Sequence, residues 1–167
     1  KQIPALNSYF SLREDELLLP HRAVISELAA LYCKHEFDLL GSGWVRVHYG
    51  MKAPGTEGVV FPPKFENTSP HDILNSEINP PNRSESTRIF ALVDKDYTPI
   101  DWQIDFKSGY RWSTNTWYKS LRYGTTQGAD VKVPWELARM QHFPTLAEAA
   151  FLAQRHREDF ALPDVYA

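Results

Sequence analysis

Apolar residues near the start of the chain recur with a helical period. One face collects apolar side chains one and two turns apart, at Val24, Ile25, Leu28, Leu31 and Tyr32. This spacing predicts a helix from about Pro20 to Lys34. Its apolar face requires a partner helix, because most of the stability of a helix in a protein comes from packing such a face.

A shorter helix is predicted before this one. Ser11 and Glu14 have the spacing of a capping box, which opens a helix over Leu12–Leu19 until Pro20 interrupts it. The single cysteine, Cys33, falls at the end of the longer apolar stripe. We expect it to be a buried or half-buried bystander, since unpaired cysteine tends to be buried.

The pattern changes between Phe37 and Val131. Glycines and prolines recur, the helical period disappears, and this part of the chain is predicted to be mostly loop. Two segments, Trp44–Tyr49 and Arg88–Val93, are predicted as short strands. The stretch 67–86 holds three prolines among polar residues, which is typical of an exposed and mobile insertion.

Helical signals return near the end of the chain. Pro134 fits a first helical position, and the helix that it opens is predicted to run through Phe143 until Pro144 stops it. Thr145 and Glu148 then form a second capping box, which opens a helix over Leu146–His156. Its apolar face is predicted to consist of Leu146, Ala149, Ala150 and Ala153. Helices at both ends of a loop-rich middle predict a mainly α chain that forms the opening turns of a larger all-α assembly.

Composition removes several classes of protein. The chain has 167 residues, 43% of them hydrophobic, which is enough apolar material for a core. One cysteine excludes an internal disulfide framework, and no apolar run has the length of a membrane span. The net charge of -3 gives no global attraction to nucleic acid. The chain begins at Lys1, which favours a processed form or a fragment. A removed signal would place it in the periplasm or outside the cell, and the cytoplasm is the other option.

Motifs for metal, phosphate and acyl-transfer chemistry are missing from the sequence. None of the six histidines pairs with another histidine or with Cys33 at metal-ligand spacing, so no metal or cofactor is expected. The chain also lacks a glycine-rich phosphate loop and a Gly-x-Ser-x-Gly elbow.

One segment combines aromatic and basic residues. Eight aromatic residues lie between Tyr97 and Tyr123, and residues 106–129 contain four cations, Lys107, Arg111, Lys119 and Arg122, and no carboxylate. Aromatic faces can stack on sugar rings while Arg and Lys hold carboxylates or sulfates, so this composition suits an acidic polysaccharide. The alternative is that most of these rings are buried and hold together a segment without regular structure. A nucleic-acid site is disfavoured, because the chain is acidic overall and has no recognisable binding motif.

A second group of candidate residues lies near the predicted helix after Pro134. Trp135, Arg139 and His142 have i, i+4, i+7 spacing and would project from one side of that helix. Such a face suits the wall of a cleft for anionic sugars. A polar face that fills a helix junction is the alternative.

Three passages resemble the heparinase II/III-like family of polysaccharide lyases, which also includes oligoalginate lyases. They are His35–Gly43, Pro99–Trp112 and Gly128–His142, and the most specific part is an Asp-Trp pair followed later by Lys-x-x-Trp-Glu-x-x-Arg. The resemblance implies the N-terminal part of an incomplete (α/α) toroid and β-elimination at a uronic acid. It further implies that the catalytic Asn, Tyr and His follow Ala167 in the remainder of the same protein, so that the 167 residues alone would be inactive.

The resemblance therefore assigns no catalytic residue to this chain. It implies that Trp135, Arg139, His142, Lys107, Arg111 and Trp112 support or line a cleft for an acidic polysaccharide or oligosaccharide. Two other hypotheses stay open on the sequence: a non-catalytic carbohydrate-binding module for an anionic polysaccharide, and a scaffold without any ligand.

Overall fold

The computed structural model describes residues 17–63, 78–93 and 97–155, and within them the structure is mainly helical. The helices are α1 (Arg22–Cys33), α2 (Arg83–Phe90), α3 (Lys132–Ala138) and α4 (His142–Arg155). Two strands, β1 (Glu36–Phe37) and β2 (Val45–Arg46), form an antiparallel pair. Single 3-10 turns lie at Leu19–His21, Pro80–Asn82 and Tyr118–Ser120. The chain divides into two compact units, of which the first is Lys1–Cys33 with Gln141–Ala167 and the second is Lys34–Met140.

The first unit is built from α1 packed against α4. Ile25 and Ala29 of α1 form a buried cluster with Ala149 and Leu152 of α4, and Leu18, Leu19, Leu146 and Ala153 pack around it. The predicted partner helix for α1 is thus α4. Each large aliphatic side chain buried in this way contributes about 1.5–3 kcal/mol.

The buried face of α1 is centred one position later than predicted. Ile25 and Ala29 are buried, whereas Val24 is 56% exposed and does not belong to the core. The helix begins at Arg22 after the 3-10 turn that contains Pro20, close to the predicted start. Cys33 is half-buried at the end of α1, as expected, and burial raises the pKa of its thiol. The predicted helix Leu12–Leu19 lies mostly outside the described residues.

Helix α4 begins earlier than predicted. It starts at His142 and contains Pro144 as its third residue, so the prediction that Pro144 separates two helices is wrong. Proline is tolerated there because the N–H groups of the first turn have no partner within the helix. Thr145 consequently lies inside α4 and does not cap it. Of the predicted apolar face, Ala149 is buried and Ala150 is exposed.

Helix α3 ends before the predicted boundary. Arg139 is its C-cap, and Met140 follows with a φ of 54°. A residue in the left-handed region just after the last turn is a common way to end a helix. Trp135 and His142 therefore lie on different helices, and the prediction that Trp135, Arg139 and His142 share one helical face is wrong.

The second unit has a core of short segments. β1 and β2 pair with Glu36 opposite Arg46 and Phe37 opposite Val45, which confirms a strand within the predicted segment Trp44–Tyr49 but only over two residues. The fully or almost fully buried apolar side chains are Phe37, Val47, Met51, Ile100, Ile104, Phe106, Val133 and Leu137. Most of the described chain between β2 and α3 has no regular structure, as the recurring glycines and prolines predict.

The predicted strand Arg88–Val93 is wrong, because helix α2 occupies Arg83–Phe90. Arg88 pairs with Glu85 one turn earlier, with 2.6 Å between Nη2 and Oε1, and a pair at this spacing supports a helix. Residues 67–77 of the predicted insertion lie outside the described residues. The part from 79 to 85 is exposed, but it becomes helical at Arg83. No helix in the described parts of the chain is long and apolar enough to cross a membrane.

Candidate functional site

A buried carboxylate organises the part of the second unit that precedes α3. Asp105 is 1% exposed and accepts four hydrogen bonds. Its Oδ1 accepts the backbone N–H groups of Lys107 at 3.0 Å and Ser108 at 3.3 Å, and its Oδ2 accepts the Ser108 hydroxyl at 2.6 Å and the Asp130 N–H at 3.0 Å. Charged acceptors make the stronger hydrogen bonds in proteins. Asp105 thereby ties a tight turn to the backbone just ahead of α3.

A second buried carboxylate forms an ion pair in the same loop. Asp101 is 1% exposed, and both its oxygens accept from Arg111 Nε, at 2.8 and 3.1 Å. The guanidinium of Arg111 also lies over the Tyr49 ring, 5.3 Å from its centroid. The backbone of Arg111 is held as well, because it forms an antiparallel β-bridge with Ile104. Arg111 is therefore held inside the protein.

The turn at Lys107–Gly109 packs tightly against another loop. Gly55 N–H donates to the Lys107 carbonyl and Phe61 N–H donates to the Ser108 carbonyl, both at 2.8 Å. Gly109 has a φ of 87°, and a Cβ at this position would lie 2.6 Å from the Phe61 carbonyl oxygen. The close approach of these loops therefore requires glycine at position 109.

The four aromatic residues that follow Trp112 in the second unit are exposed. The exposed fractions are 63% for Trp117, 60% for Tyr118, 51% for Tyr123 and 50% for Trp135. They form two pairs. In the first aromatic pair, Trp117 and Tyr118 have ring centroids 4.7 Å apart and planes inclined by 54°. In the second aromatic pair, Tyr123 and Trp135 have centroids 5.2 Å apart and planes inclined by 73°.

Cations accompany these rings. Lys119 Nζ lies 5.8 Å from the centroid of the Tyr118 ring. Arg139 follows Trp135 by four residues, its side chain is 66% exposed, and its Nε lies 3.3 Å from Glu136 Oε1. Arg122 and Lys132 are also exposed. These eight exposed residues, the two aromatic pairs with Lys119, Arg122, Lys132 and Arg139, all lie between positions 117 and 139, and we call them the aromatic-cation surface. Exposed aromatic faces next to cations can bind a ring that carries a negative charge.

The six residues selected from the sequence occupy different environments. Trp135 and Arg139 are exposed on α3. Lys107 is partly exposed, and its ammonium donates to the Leu40 carbonyl at 2.8 Å. Trp112 is half-buried with its ring edge-on to Tyr110, at 4.8 Å between centroids. Arg111 is buried in the ion pair with Asp101, so its charge serves the scaffold.

His142 belongs to the first unit, whereas the other five residues belong to the second. It is 6% exposed. The centroid of its ring lies 5.8 Å from that of Tyr32 and 4.7 Å from that of Phe143. Burial lowers the pKa of its imidazole. These contacts give His142 a role in the packing of α1 against α4.

Sequence reasoning did not single out Trp117, Tyr118 or Tyr123, although it counted them in the aromatic-rich segment. The available signal was their position in a stretch rich in Ser, Thr, Asn and Gly, which favours an exposed loop. The buried aromatic and basic residues of the segment are Phe106 and Arg111. They come earlier in the sequence, close to the buried Asp101 and Asp105.

A small polar pocket lies beside the scaffold. Its volume is about 270 Å³, and it is lined by Thr56, Glu57, Asp105, Lys107, Gly128, Ala129 and Asp130. Within the described ranges, no three histidine, cysteine or carboxylate side chains come together in a way that could hold a metal ion.

Comparison with known proteins gives no relative for this chain: no family model, no curated protein and no solved structure matches it.

Proposed function

We propose that this chain supplies a glycan-binding surface to a polysaccharide lyase of the heparinase II/III-like type, which cleaves a uronic-acid-containing glycan by β-elimination. The observation that carries the proposal is the aromatic-cation surface. Four aromatic side chains at least half exposed are grouped in two pairs, and grouped apolar surface of this kind can mark a binding site. Sugar rings offer C–H faces for the aromatic rings, and uronate carboxylates offer partners for Arg and Lys.

The resemblance in the passages Pro99–Trp112 and Gly128–His142 supports the lyase assignment. Residues of these passages fall in two structural roles. Asp101 and Arg111 hold the loop together from inside, while Trp135 and Arg139 are exposed on α3. A substrate-binding surface needs both exposed residues that contact the substrate and buried residues that hold them in place, and these passages supply both. In this proposal the helices of the chain belong to an (α/α) toroid.

The proposed reaction divides its tasks between this surface and the groups that move protons. In β-elimination, a neutralised carboxyl group makes the proton on the neighbouring carbon more acidic, a base removes that proton, and the 4-linked oxygen leaves. The aromatic-cation surface would hold the polymer in register for this step. The neutralising Asn and the Tyr and His of proton transfer would come from the remainder of the lyase.

The first test is binding. We expect the chain to bind long oligosaccharides of heparin, alginate or polygalacturonate in a calorimetric titration, with an affinity that falls as salt is added. Trp135→Ala should weaken binding by about five- to ten-fold, since an aromatic side chain central to an interface costs more than about 1 kcal/mol when it is removed. Arg139→Ala should weaken binding and reduce the salt dependence. Trp44→Ala, which removes an exposed tryptophan outside the aromatic-cation surface, is the matched control.

The second test is product formation. We expect the 167-residue chain to give no rise in the ultraviolet absorbance of unsaturated uronate, whereas the full-length product of its gene should give that rise with the glycan that the chain binds. Binding without product from the full-length protein would reject the lyase and favour a carbohydrate-binding module. Failure of every acidic glycan to bind would reject the proposal as a whole.

A further inference from the structure

The two aromatic pairs each offer one place for a sugar ring. Within a pair the ring planes are inclined, by 54° between Trp117 and Tyr118 and by 73° between Tyr123 and Trp135. Two rings at such angles cannot both lie flat against the same sugar ring. Each pair therefore presents one stacking face with the neighbouring ring at its border, and two pairs can hold two different sugar rings.

Each pair also has a cation of its own. Lys119 lies over Tyr118 in the first aromatic pair, and Arg139 is one helical turn from Trp135 in the second. The Arg139 side chain is 66% exposed beside the half-buried Glu136, so a carboxylate ligand can reach the guanidinium from the solvent side. Both pairs can thus recognise an acidic sugar.

The distance between the pairs fits one polymer chain. Tyr118 and Tyr123 are separated by five residues along the backbone, which places their Cα atoms at most about 18 Å apart. Neither pair lines the polar pocket, and all four rings are at least half exposed. Open rings of this kind leave room for a polymer to continue in both directions, whereas recognition of a chain end requires a wall that stops it.

We infer that the aromatic-cation surface binds an internal stretch of a linear acidic glycan, by stacking one sugar ring on the first aromatic pair and another on the second. This inference rests on the proposed function and specifies its ligand: an oligosaccharide long enough to reach both pairs. The second contact becomes intramolecular once the first has formed, so the affinity of a long ligand exceeds that of a short one.

The experiment is a calorimetric titration of the chain with size-graded oligosaccharides, from disaccharide to octasaccharide, prepared from heparin and from alginate. For the glycan that binds, we expect the octasaccharide to bind at least about ten-fold more tightly than the disaccharide, a conservative bound because linked contacts can gain about 100-fold or more. The double variant Trp117→Ala/Tyr118→Ala should reduce this gain by at least about five-fold. The milder Lys119→Ala variant should reduce it in the same direction, and Trp44→Ala should leave it unchanged.

The variant comparison separates a second contact from a statistical effect. A longer polymer offers more binding registers to any single site, but that contribution persists when the first aromatic pair is removed. A disaccharide that binds as tightly as the octasaccharide, or a length gain that the double variant leaves undiminished, would overturn the inference while leaving the proposed function in place. If no acidic glycan of any length binds, both are overturned. Unchanged far-ultraviolet circular dichroism of each variant confirms that the fold is kept.

Discussion

Replacing Asp105 by asparagine tests whether the buried carboxylate holds the second unit together. Asparagine has nearly the same shape, and its carbonyl oxygen can still accept the N–H groups of Lys107 and Ser108. Its NH2 group then replaces the oxygen that now accepts the Ser108 hydroxyl at 2.6 Å and the Asp130 N–H at 3.0 Å. The serine hydroxyl can rotate to accept a hydrogen bond, but the Asp130 N–H is left facing another donor.

The magnitude follows from these contacts. A hydrogen bond to a charged group contributes about 1.5–3 kcal/mol, and a donor left without its partner adds a desolvation cost. We therefore expect Asp105→Asn to lower the free energy of unfolding of the second unit by about 2–4 kcal/mol. Asp130→Asn is the matched control. Asp130 is exposed, and its Oδ1 accepts the Lys132 N–H at 2.9 Å, a contact that asparagine keeps.

Intrinsic fluorescence in a urea titration measures this effect in the right unit, because all five tryptophans lie within Lys34–Met140. A loss below about 1 kcal/mol for Asp105→Asn would show that the four contacts are weaker than the geometry indicates. An equal loss in Asp130→Asn would show that the cost comes from removing a charge at this place and not from the hydrogen bonds.

Two further predictions concern burial and close contact. Burial lowers the pKa of His142, so the unfolded chain binds the proton more readily than the folded one. Stability that is present above the unfolded pKa of about 6.5 is therefore lost as the pH falls below that value. His142→Phe should make the unfolding midpoint, followed by circular dichroism, less dependent on pH between about pH 8 and 5, and an unchanged slope would contradict this. Gly109→Ala should cost at least about 2 kcal/mol, because the new Cβ would meet the Phe61 carbonyl in addition to the strain of a positive φ. Gly41→Ala carries the same φ strain, with a φ of 69°, but has open space around it and should cost only about 1 kcal/mol. Equal losses in urea titrations would refute the steric argument.

Local patterns predicted the first unit well. The apolar spacing around Ile25 and the alanines near Ala149 located the two helices that pack together, because a helical period reports directly which side chains share a face. The same patterns misplaced boundaries. Pro144 is compatible with the first turn of α4, and Met140 adopts a left-handed conformation without glycine, so neither end of the α3–α4 connection carries the usual marker.

The candidate site was predictable in composition but not in arrangement. The sequence shows that aromatic and basic residues are concentrated after Tyr97, yet it does not separate the buried Arg111 from the exposed Arg139. That distinction depends on Asp101, ten residues before Arg111, and on a backbone geometry that brings Ile104 opposite Arg111. The bond from the Asp130 N–H to Asp105 spans 25 residues and has no local signal at all.

The hydrogen bond between Asp105 and the Asp130 backbone fastens both ends of the intervening segment. The part of that segment that carries the first aromatic pair, residues 113–127, begins after the bond from Trp112 N–H to the Gln103 carbonyl, and the backbone bonds within it join residues only three positions apart. Loop length is cheap in entropy once the ends are held, since doubling it costs only about 0.6 kcal/mol. Insertions, deletions or a grafted sequence can therefore alter this segment without disturbing the base that supports it, which makes the segment an exchangeable part of the fold.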